Sequence, residues 1–165
     1  MAGYSHVGLG THDMEKTIWF YRDVLGFAIV AEQNATVAEG GIVRLVYFDV
    51  GEGGFIVFMQ GTNVPQLPVD FDTGINGQLG VPPGMYHYAF KESSLEGLSA
   101  RRDQLENAGV QVSDLVDHGY AQAIYVMDPN GLQLEFCWQV RHFGPQDLSQ
   151  SSVVTVADPE PPRKP

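Results

Sequence analysis

The chain carries one pattern of residues twice, and this repeat limits the folds that are open to it. His6 and His87 stand in corresponding strand-like runs 81 positions apart, and Gly26 and Gly109, which end two helical patterns, are 83 apart. A GEGG turn precedes a strand-like run in the first copy as a DPNG turn does in the second, at an offset of 77. We therefore predict two copies of one supersecondary unit that pack against each other.

Residues 1–60 predict the order strand, helix, strand, strand, strand. A short strand at 3–10 precedes Asp13, a residue type that favours helix N-caps. Apolar residues then recur at helical spacing over 14–25, and Gly26 follows them as a helix-ending glycine should. Glycines separate the three remaining strand-like runs, which lie at 27–33, 42–50 and 54–60.

Residues 85–140 repeat that order. A strand at 85–91 leads to Ser93 and Glu96, which are spaced as a capping box, and then to a second apolar stripe of helical spacing. Three further strand-like runs complete the copy: VQVSDLV, QAIYVMD and LQLEFCW. The repeat thus predicts an α+β fold built from paired βαβββ modules.

Two irregular segments join and follow these modules. Residues 61–84 hold four prolines and several glycines, and a connection of this length predicts a linker or a lid over a binding site. Residues 141–165 are rich in proline and lack periodicity, which predicts a flexible tail.

Charge and cysteine content exclude several classes of partner. A formal net charge of −11 argues against nucleic acid and anionic lipid. No run of residues has the length and apolarity of a membrane span. The single cysteine, Cys137, excludes an internal disulfide and fits a reducing compartment. The sequence therefore predicts a cytoplasmic protein whose partner is neither nucleic acid nor membrane.

One carboxylate lies in the middle of the last apolar strand. After the turn at 128–131, alternation along the strand puts Leu134 and Phe136 on the core side and Glu135 on the other. Cys137 shares the face of Glu135. Because an unpaired buried charge is costly, we expect a cation beside this carboxylate, and a metal ion is the leading candidate.

The repeat also brings two histidines toward that carboxylate. His6 and His87 each lie mid-way along the first strand of their module, on the face opposite the apolar stripe. If the modules pack with pseudo-two-fold symmetry, these faces meet and both imidazoles converge on Glu135. Two imidazoles and one carboxylate leave coordination positions open, which suits catalysis better than a closed structural site. His6, His87 and Glu135 are therefore the predicted metal ligands.

Each of these residues also has an ordinary role open to it. A histidine in a strand is most often a hydrogen-bonded core or surface residue, and a glutamate near a strand end is most often solvated. Superposing the two copies places Phe58 opposite Glu135, to within one residue, so the matching position holds Phe58 or Val57 and neither can bind a metal. His12 and His142 are expected to be solvated.

Three runs of residues resemble the vicinal oxygen chelate superfamily, which includes glyoxalase I, fosfomycin and bleomycin resistance proteins, and extradiol ring-cleaving dioxygenases. These runs are HVGLGTHDMEKTIWFYRDVLGF, HYAF and DPNGLQLEF, and the resemblance covers about residues 4–140. It implies sheets that curl around a metal-binding cleft, with His6, His87 and Glu135 as the ligands. It also implies a homodimer.

With three ligands and no fourth, the site resembles that of the extradiol branch. Fe(II) is the usual metal of that branch, and Mn(II), Ni(II) and Zn(II) are the alternatives. Tyr125 matches a tyrosine that hydrogen-bonds bound catecholate in that branch, and His118 resembles a histidine of the same pocket. The resemblance thus implies a ring-cleaving dioxygenase for a catecholic small molecule, with Tyr125 and His118 as catalytic residues. Two alternatives stay open: a glyoxalase-like lyase or isomerase that uses a metal-stabilised enediolate, with Gln60 as a possible fourth ligand, and a resistance protein that sequesters a small molecule.

Overall fold

The computed structural model describes residues 4–148 and contains two four-stranded mixed sheets. The strands of the first sheet are β1 (His6–Gly10), β2 (Ile29–Thr36), β3 (Ile42–Gly51) and β4 (Gly54–Thr62). Those of the second are β5 (His87–Lys91), β6 (Val116–Asp117), β7 (Ala121–Met127) and β8 (Gln133–Gln139). The sheet orders match, β1-β4-β3-β2 and β5-β8-β7-β6, and in each the outer first strand runs parallel to the last. This confirms the predicted α+β fold of paired βαβββ modules.

The helices lie between the first and second strands of each module and in the linker. They are α1 (Met14–Ile18), which continues as a π-helix (Trp19–Val24), α2 (Ile75–Leu79) and α3 (Leu95–Asn107). A 3-10 helix follows at Pro145–Leu148. No helix among residues 4–148 has the length and apolarity needed to cross a membrane.

Two details of the helices differ from the sequence prediction. The single helix predicted over 14–25 changes to wider π turns, in which the Leu25 amide donates to the Phe20 carbonyl at 2.9 Å. The N-cap of α3 is Ser94 and not Ser93, because the extended Ser94 places its hydroxyl 3.0 Å from the Gly97 amide. The Asp13 side chain accepts from the Lys16 amide at 3.0 Å, as expected of an N-cap.

One strand is shorter than its sequence suggests and another is displaced. The run VQVSDLV forms only an isolated bridge at Val112 and the two-residue strand β6. Between them, the Ser113 hydroxyl accepts from the Tyr125 amide at 2.9 Å and so takes the place of a backbone partner. Strand β2 begins and ends later than the predicted 27–33.

Both modules bury the helix-facing sides of their sheets in one shared core. Tyr21 is fully buried there, with its ring 4.7 Å from that of Phe58 and 5.5 Å from that of Phe48. Leu134 and Phe136 from the second sheet belong to the same apolar cluster. The opposite faces of the two sheets, which carry His6 and Glu135, therefore point away from the core.

A buried polar network ties the first helix to the β7–β8 turn. The Tyr21 hydroxyl donates to Oδ2 of Asp128 at 3.0 Å, and the amides of Asn130 and Leu132 both donate to Oδ1 at 2.8 Å. The Asn130 side-chain amide adds a bond to Oδ2 at 3.0 Å and reaches the Thr17 hydroxyl at 3.2 Å. Burial raises the pKa of the Asp128 carboxyl, while these hydrogen bonds favour its charged form.

The linker at 61–84 is held to both modules. A ring nitrogen of His12, which was expected to be solvated, lies 2.6 Å from the Phe71 carbonyl oxygen. The Thr73 hydroxyl donates to the Asn130 carbonyl at 2.8 Å, and α2 follows directly. The linker is therefore attached to the loop before α1 and to the β7–β8 turn.

The end of the chain is described only in part. Arg141 and Asp147 form a two-pronged ion pair at 2.8 and 2.7 Å next to the 3-10 helix. The flexible tail predicted for 141–165 lies, beyond residue 148, outside the described residues.

Candidate metal centre

An imidazole and a buried carboxylate face each other on the second sheet. His87 begins the edge strand β5, and Glu135 lies in the middle of the neighbouring strand β8, where it is 7% exposed. Nε2 of His87 is 3.0 Å from Oε2 of Glu135. These two members of the predicted ligand set are therefore in direct contact.

The other ring nitrogen of His87 shows which form of the imidazole this geometry favours. Nδ1 lies 2.9 Å from the Gly84 carbonyl oxygen, and since a carbonyl only accepts, Nδ1 carries the hydrogen. In the neutral ring the Nε2 lone pair then points at a carboxylate, so a proton or a cation must lie between them. A histidine whose second nitrogen donates to a backbone carbonyl is the usual arrangement of a metal ligand. This pair therefore has the chemistry of two of the three predicted ligands of a divalent metal ion.

Gly84 was not singled out as a site residue from the sequence. It ends the run Pro82-Pro83-Gly84, adopts a φ of +92°, and turns its carbonyl toward the ring of His87. A Pro-Pro-Gly turn three residues before a strand histidine is the signal that points to this role.

The two predicted catalytic residues lie beside this pair. Tyr125 is directly opposite Glu135 in the β7–β8 register, and its hydroxyl is 2.8 Å from Nε2 of His118. Its ring centroid is 6.4 Å from that of His87. Burial, and then the negative charge of Glu135, raise the pKa of Tyr125 well above its usual value, so the phenol is protonated at neutral pH. It can donate one hydrogen bond, to His118 or to a bound molecule.

Cys137 lies on the same face, as its position in the strand predicted. Burial and the nearby Glu135 carboxylate raise the pKa of its thiol. In the metal-free chain the thiol is therefore protonated at neutral pH.

His6 lies on the other sheet. It faces outward on β1, and its Nδ1 is 2.8 Å from the Ser5 hydroxyl. Within residues 4–148, no three His, Cys, Asp or Glu side chains are close enough together to hold a metal ion. A single chain therefore gathers His87, Glu135, Tyr125 and His118, but not His6.

Strand register decides between Phe58 and Val57 as the equivalent of Glu135. Gly8 pairs with Val57 as Ala89 pairs with Glu135, so Val57 is the equivalent residue. Phe58, the other residue that the superposition allowed, points into the core.

Gln60, the suggested fourth ligand, lies on the core-facing side of β4 with Phe58. It donates through Nε2 to the His12 carbonyl at 2.8 Å. Neither the valine nor this amide offers a metal ligand on the His6 face.

The two modules have the same strand order, so this chain has the fold of the paired βαβββ proteins. Within this class, the chain belongs to the Glyoxalase/Bleomycin resistance protein/Dioxygenase superfamily, whose family model matches residues 3–136. The superfamily predicted from the sequence is thereby confirmed. No curated protein sequence matches the chain.

Solved structures share the fold at low sequence identity. A glyoxylase/bleomycin resistance protein/dioxygenase domain from Frankia is 17% identical with a TM-score of 0.63, covering 84% of this chain and 98% of its own. The antibiotic binding protein TnmS3 from Streptomyces is 18% identical (TM-score 0.59; 84% and 97% covered). Lactoylglutathione lyase from Agrobacterium tumefaciens is 17% identical (TM-score 0.57; 84% and 94% covered).

Proposed function

We propose that this protein is a metal-dependent enzyme of the extradiol type, which cleaves the ring of a catecholic substrate. The observation that carries the proposal is the hydrogen bond between Tyr125 and His118 next to the His87–Glu135 pair. A proton donor and a proton acceptor thus lie beside the proposed metal ligands. Two histidines and one carboxylate are the donor set of non-haem Fe(II) oxygenases, so Fe(II) is the proposed metal.

The residues of the chain divide the work between binding and proton transfer. His87 and Glu135 would hold the metal, which when bound supplies a Lewis acid that orients two adjacent substrate oxygens and dioxygen. The Tyr125 phenol donates a hydrogen bond to a substrate oxygen and so fixes the orientation of the ring. His118 is exposed, accepts a proton through Nε2, and can return it to water.

We further propose that a second copy of the chain supplies His6. The His6 face and the Glu135 face both point away from the shared core, and each carries an exposed methionine, Met59 at 38% and Met127 at 45%. A second chain packed over both faces would remove these methionines from water. In a symmetric homodimer, each His6 would complete the His87–Glu135 pair of the partner subunit.

Subunit complementation tests this arrangement. The variants His6→Ala and Glu135→Gln are expected to be inactive alone, but co-expressed and purified together they should regain about a quarter of wild-type activity. Random pairing makes half of the dimers mixed, and each mixed dimer holds one intact site of two. If each site is built from one chain, the mixture stays inactive.

The Tyr125→Phe substitution tests the role of the phenol. Removing the hydroxyl is expected to lower kcat about 10²-fold, the usual size of a lost proton donor, while metal affinity stays unchanged. Steady-state kinetics and metal titration separate the two effects. Tyr120→Phe is the control, since that ring lies beside His118 at 6.1 Å but its hydroxyl is not the one bonded to Nε2. Equal activity of Tyr125→Phe and Tyr120→Phe would exclude a catalytic phenol.

The decisive experiment is anaerobic loading of the full chain with Fe(II), followed by a panel of catechols and then air. Oxygen uptake of one molecule for each ring opened, with a coloured ring-opened product, is the expected result. Bound iron with no oxygen uptake on any catechol would reject the dioxygenase. A glyoxalase-like lyase or isomerase would turn over its substrate without consuming oxygen.

A binding protein that sequesters a small molecule is the second candidate, because one chain does not assemble a three-ligand site within residues 4–148 and an antibiotic-binding protein shares the fold. Ligand binding that survives both a chelator and His6→Ala would favour it. The dioxygenase predicts that catechol binding is lost in both conditions.

A further inference from the structure

We propose that Asn76, a linker residue, is a positioning residue for the metal ligand His87. Asn76 lies in α2, is 4% exposed, and uses both ends of its side-chain amide. Its Oδ1 accepts from the Tyr86 amide at 3.0 Å, and its Nδ2 donates to the Tyr86 carbonyl at 2.7 Å. Tyr86 immediately precedes His87. The inference rests on the proposed metal site.

This pair of hydrogen bonds compensates for the position of His87 at an unprotected strand end. β5 is an edge strand, and His87 is its first residue, with a neighbouring strand on one side only. Backbone groups at such an end are open to water and fray readily. The Asn76 amide offers one donor and one acceptor to a single residue, as a neighbouring antiparallel strand would. It therefore fixes the backbone at the point where the ligand side chain begins.

The orientation of the His87 ring depends on the same two hydrogen bonds between Asn76 and Tyr86. The carbonyl that holds Nδ1 belongs to Gly84, and Tyr86 lies between Gly84 and His87 in the chain. Fixing the backbone of Tyr86 thus fixes the distance between the carbonyl and the ring. Through that bond, Asn76 keeps Nδ1 on the Gly84 carbonyl and Nε2 directed at Glu135.

The segment that carries Asn76 is itself anchored close to the strand of the second ligand. A Cβ on Gly74 would lie 2.6 Å from the Gly131 carbonyl oxygen, so the two backbones touch and only glycine fits. Next to it, the Thr73 hydroxyl is bonded to the Asn130 carbonyl. Because Gly131 leads into β8, one linker segment sets the positions of both His87 and Glu135.

The test compares Asn76→Ala and Asn76→Asp with Gln78→Ala in the full chain. Gln78→Ala is the matched control, since the Gln78 side chain accepts from the Asp72 amide at 3.1 Å in the same segment and its loss leaves both hydrogen bonds to Tyr86 in place. Two quantities are measured: the hydrogen bond from Nδ1–H of His87 to the Gly84 carbonyl, from the ¹H and ¹⁵N shifts of that imidazole N–H in the metal-free protein with the ring protonated, and the affinity for Co(II).

We expect wild type and Gln78→Ala to show the same hydrogen-bonded Nδ1–H signal and equal Co(II) affinity. Asn76→Ala should show this signal weakened by exchange with water and a 10- to 100-fold weaker affinity, the usual effect of losing an outer partner of a metal ligand. Asn76→Asp keeps the acceptor but places a second carboxylate oxygen against the Tyr86 carbonyl, so it should change in the same direction. If Asn76→Ala does not fold, the result for Asn76→Asp decides the test.

An unchanged Nδ1–H signal and unchanged affinity in folded Asn76 variants would overturn the inference. If wild type binds no Co(II), the proposed metal function fails, and the Nδ1–H comparison alone still decides whether Asn76 positions His87.

Discussion

Replacing Glu135 with glutamine is expected to lower affinity for Co(II) or Fe(II) about 10³-fold and to abolish turnover. The carboxylate is 7% exposed and in contact with His87. Removing one partner of a buried charge pair costs about 3–5 kcal/mol, and about 1.4 kcal/mol corresponds to a factor of ten in affinity. The glutamine has nearly the same size, so the loss reports charge and not packing. Titration calorimetry on the metal-free protein measures the affinity directly.

Glu106→Gln is the control for this substitution. Glu106 accepts from Arg102 at 2.9 Å on the exposed surface of α3, and exposed pairs of this kind contribute little. Its metal affinity should equal that of wild type. If Glu135→Gln also binds metal like wild type, Glu135 is not a ligand and the proposed centre is wrong.

The arrangement of each module could be predicted from the sequence because it depends on local patterns. Alternation along β8 placed Leu134 and Phe136 in the core and Glu135 with Cys137 on the other face, as observed. The repeated histidines pointed to equivalent strands, β1 and β5. Side-chain periodicity is a property of a single strand or helix, so it survives without knowledge of tertiary contacts.

Details that depend on turns and on neighbouring elements could not be predicted. The β3–β4 hairpin contains a register shift between Asp49 and Gly51 and a positive φ at Glu52. The corresponding β7–β8 pairing of the second module is continuous. Because of this difference, superposing the sequences left both Phe58 and Val57 open, and the strand register assigns Val57. The π-helix was missed because six residues are too few to distinguish its period from that of an α-helix.

The packing of the two modules was the main step that sequence patterns left undecided. The face of β4 that carries Val57 and Met59 is apolar, and so is the core face with Ile56 and Phe58. Neither face stands out as the one that must be buried within the chain. The sequence prediction assumed that the sheet faces carrying His6 and His87 pack against each other. Within one chain, the helix-facing sides of the two sheets pack together instead.

Asp128→Ala is expected to lower the free energy of unfolding by about 3 kcal/mol. Four donors lose their acceptor: the Tyr21 hydroxyl, the Asn130 backbone and side-chain amides, and the Leu132 amide. Each buried unsatisfied donor costs about 1–3 kcal/mol, and relief of the charge burial that raises the pKa of Asp128 offsets part of the sum. Urea unfolding followed by circular dichroism measures the change.

Tyr21→Phe separates the bond between modules from the bonds within the turn. It removes only the hydroxyl that joins the first helix to Asp128, so a loss of about 1 kcal/mol is expected. Because both substitutions break that same bond, the double variant should be less destabilised than the sum of the single variants. Additive losses would show that the Tyr21–Asp128 bond contributes nothing, and that Asp128 acts only on its own turn at the start of β8. A coupling of the expected sign makes this bond part of the contact that holds the helix-facing sides of the two modules together.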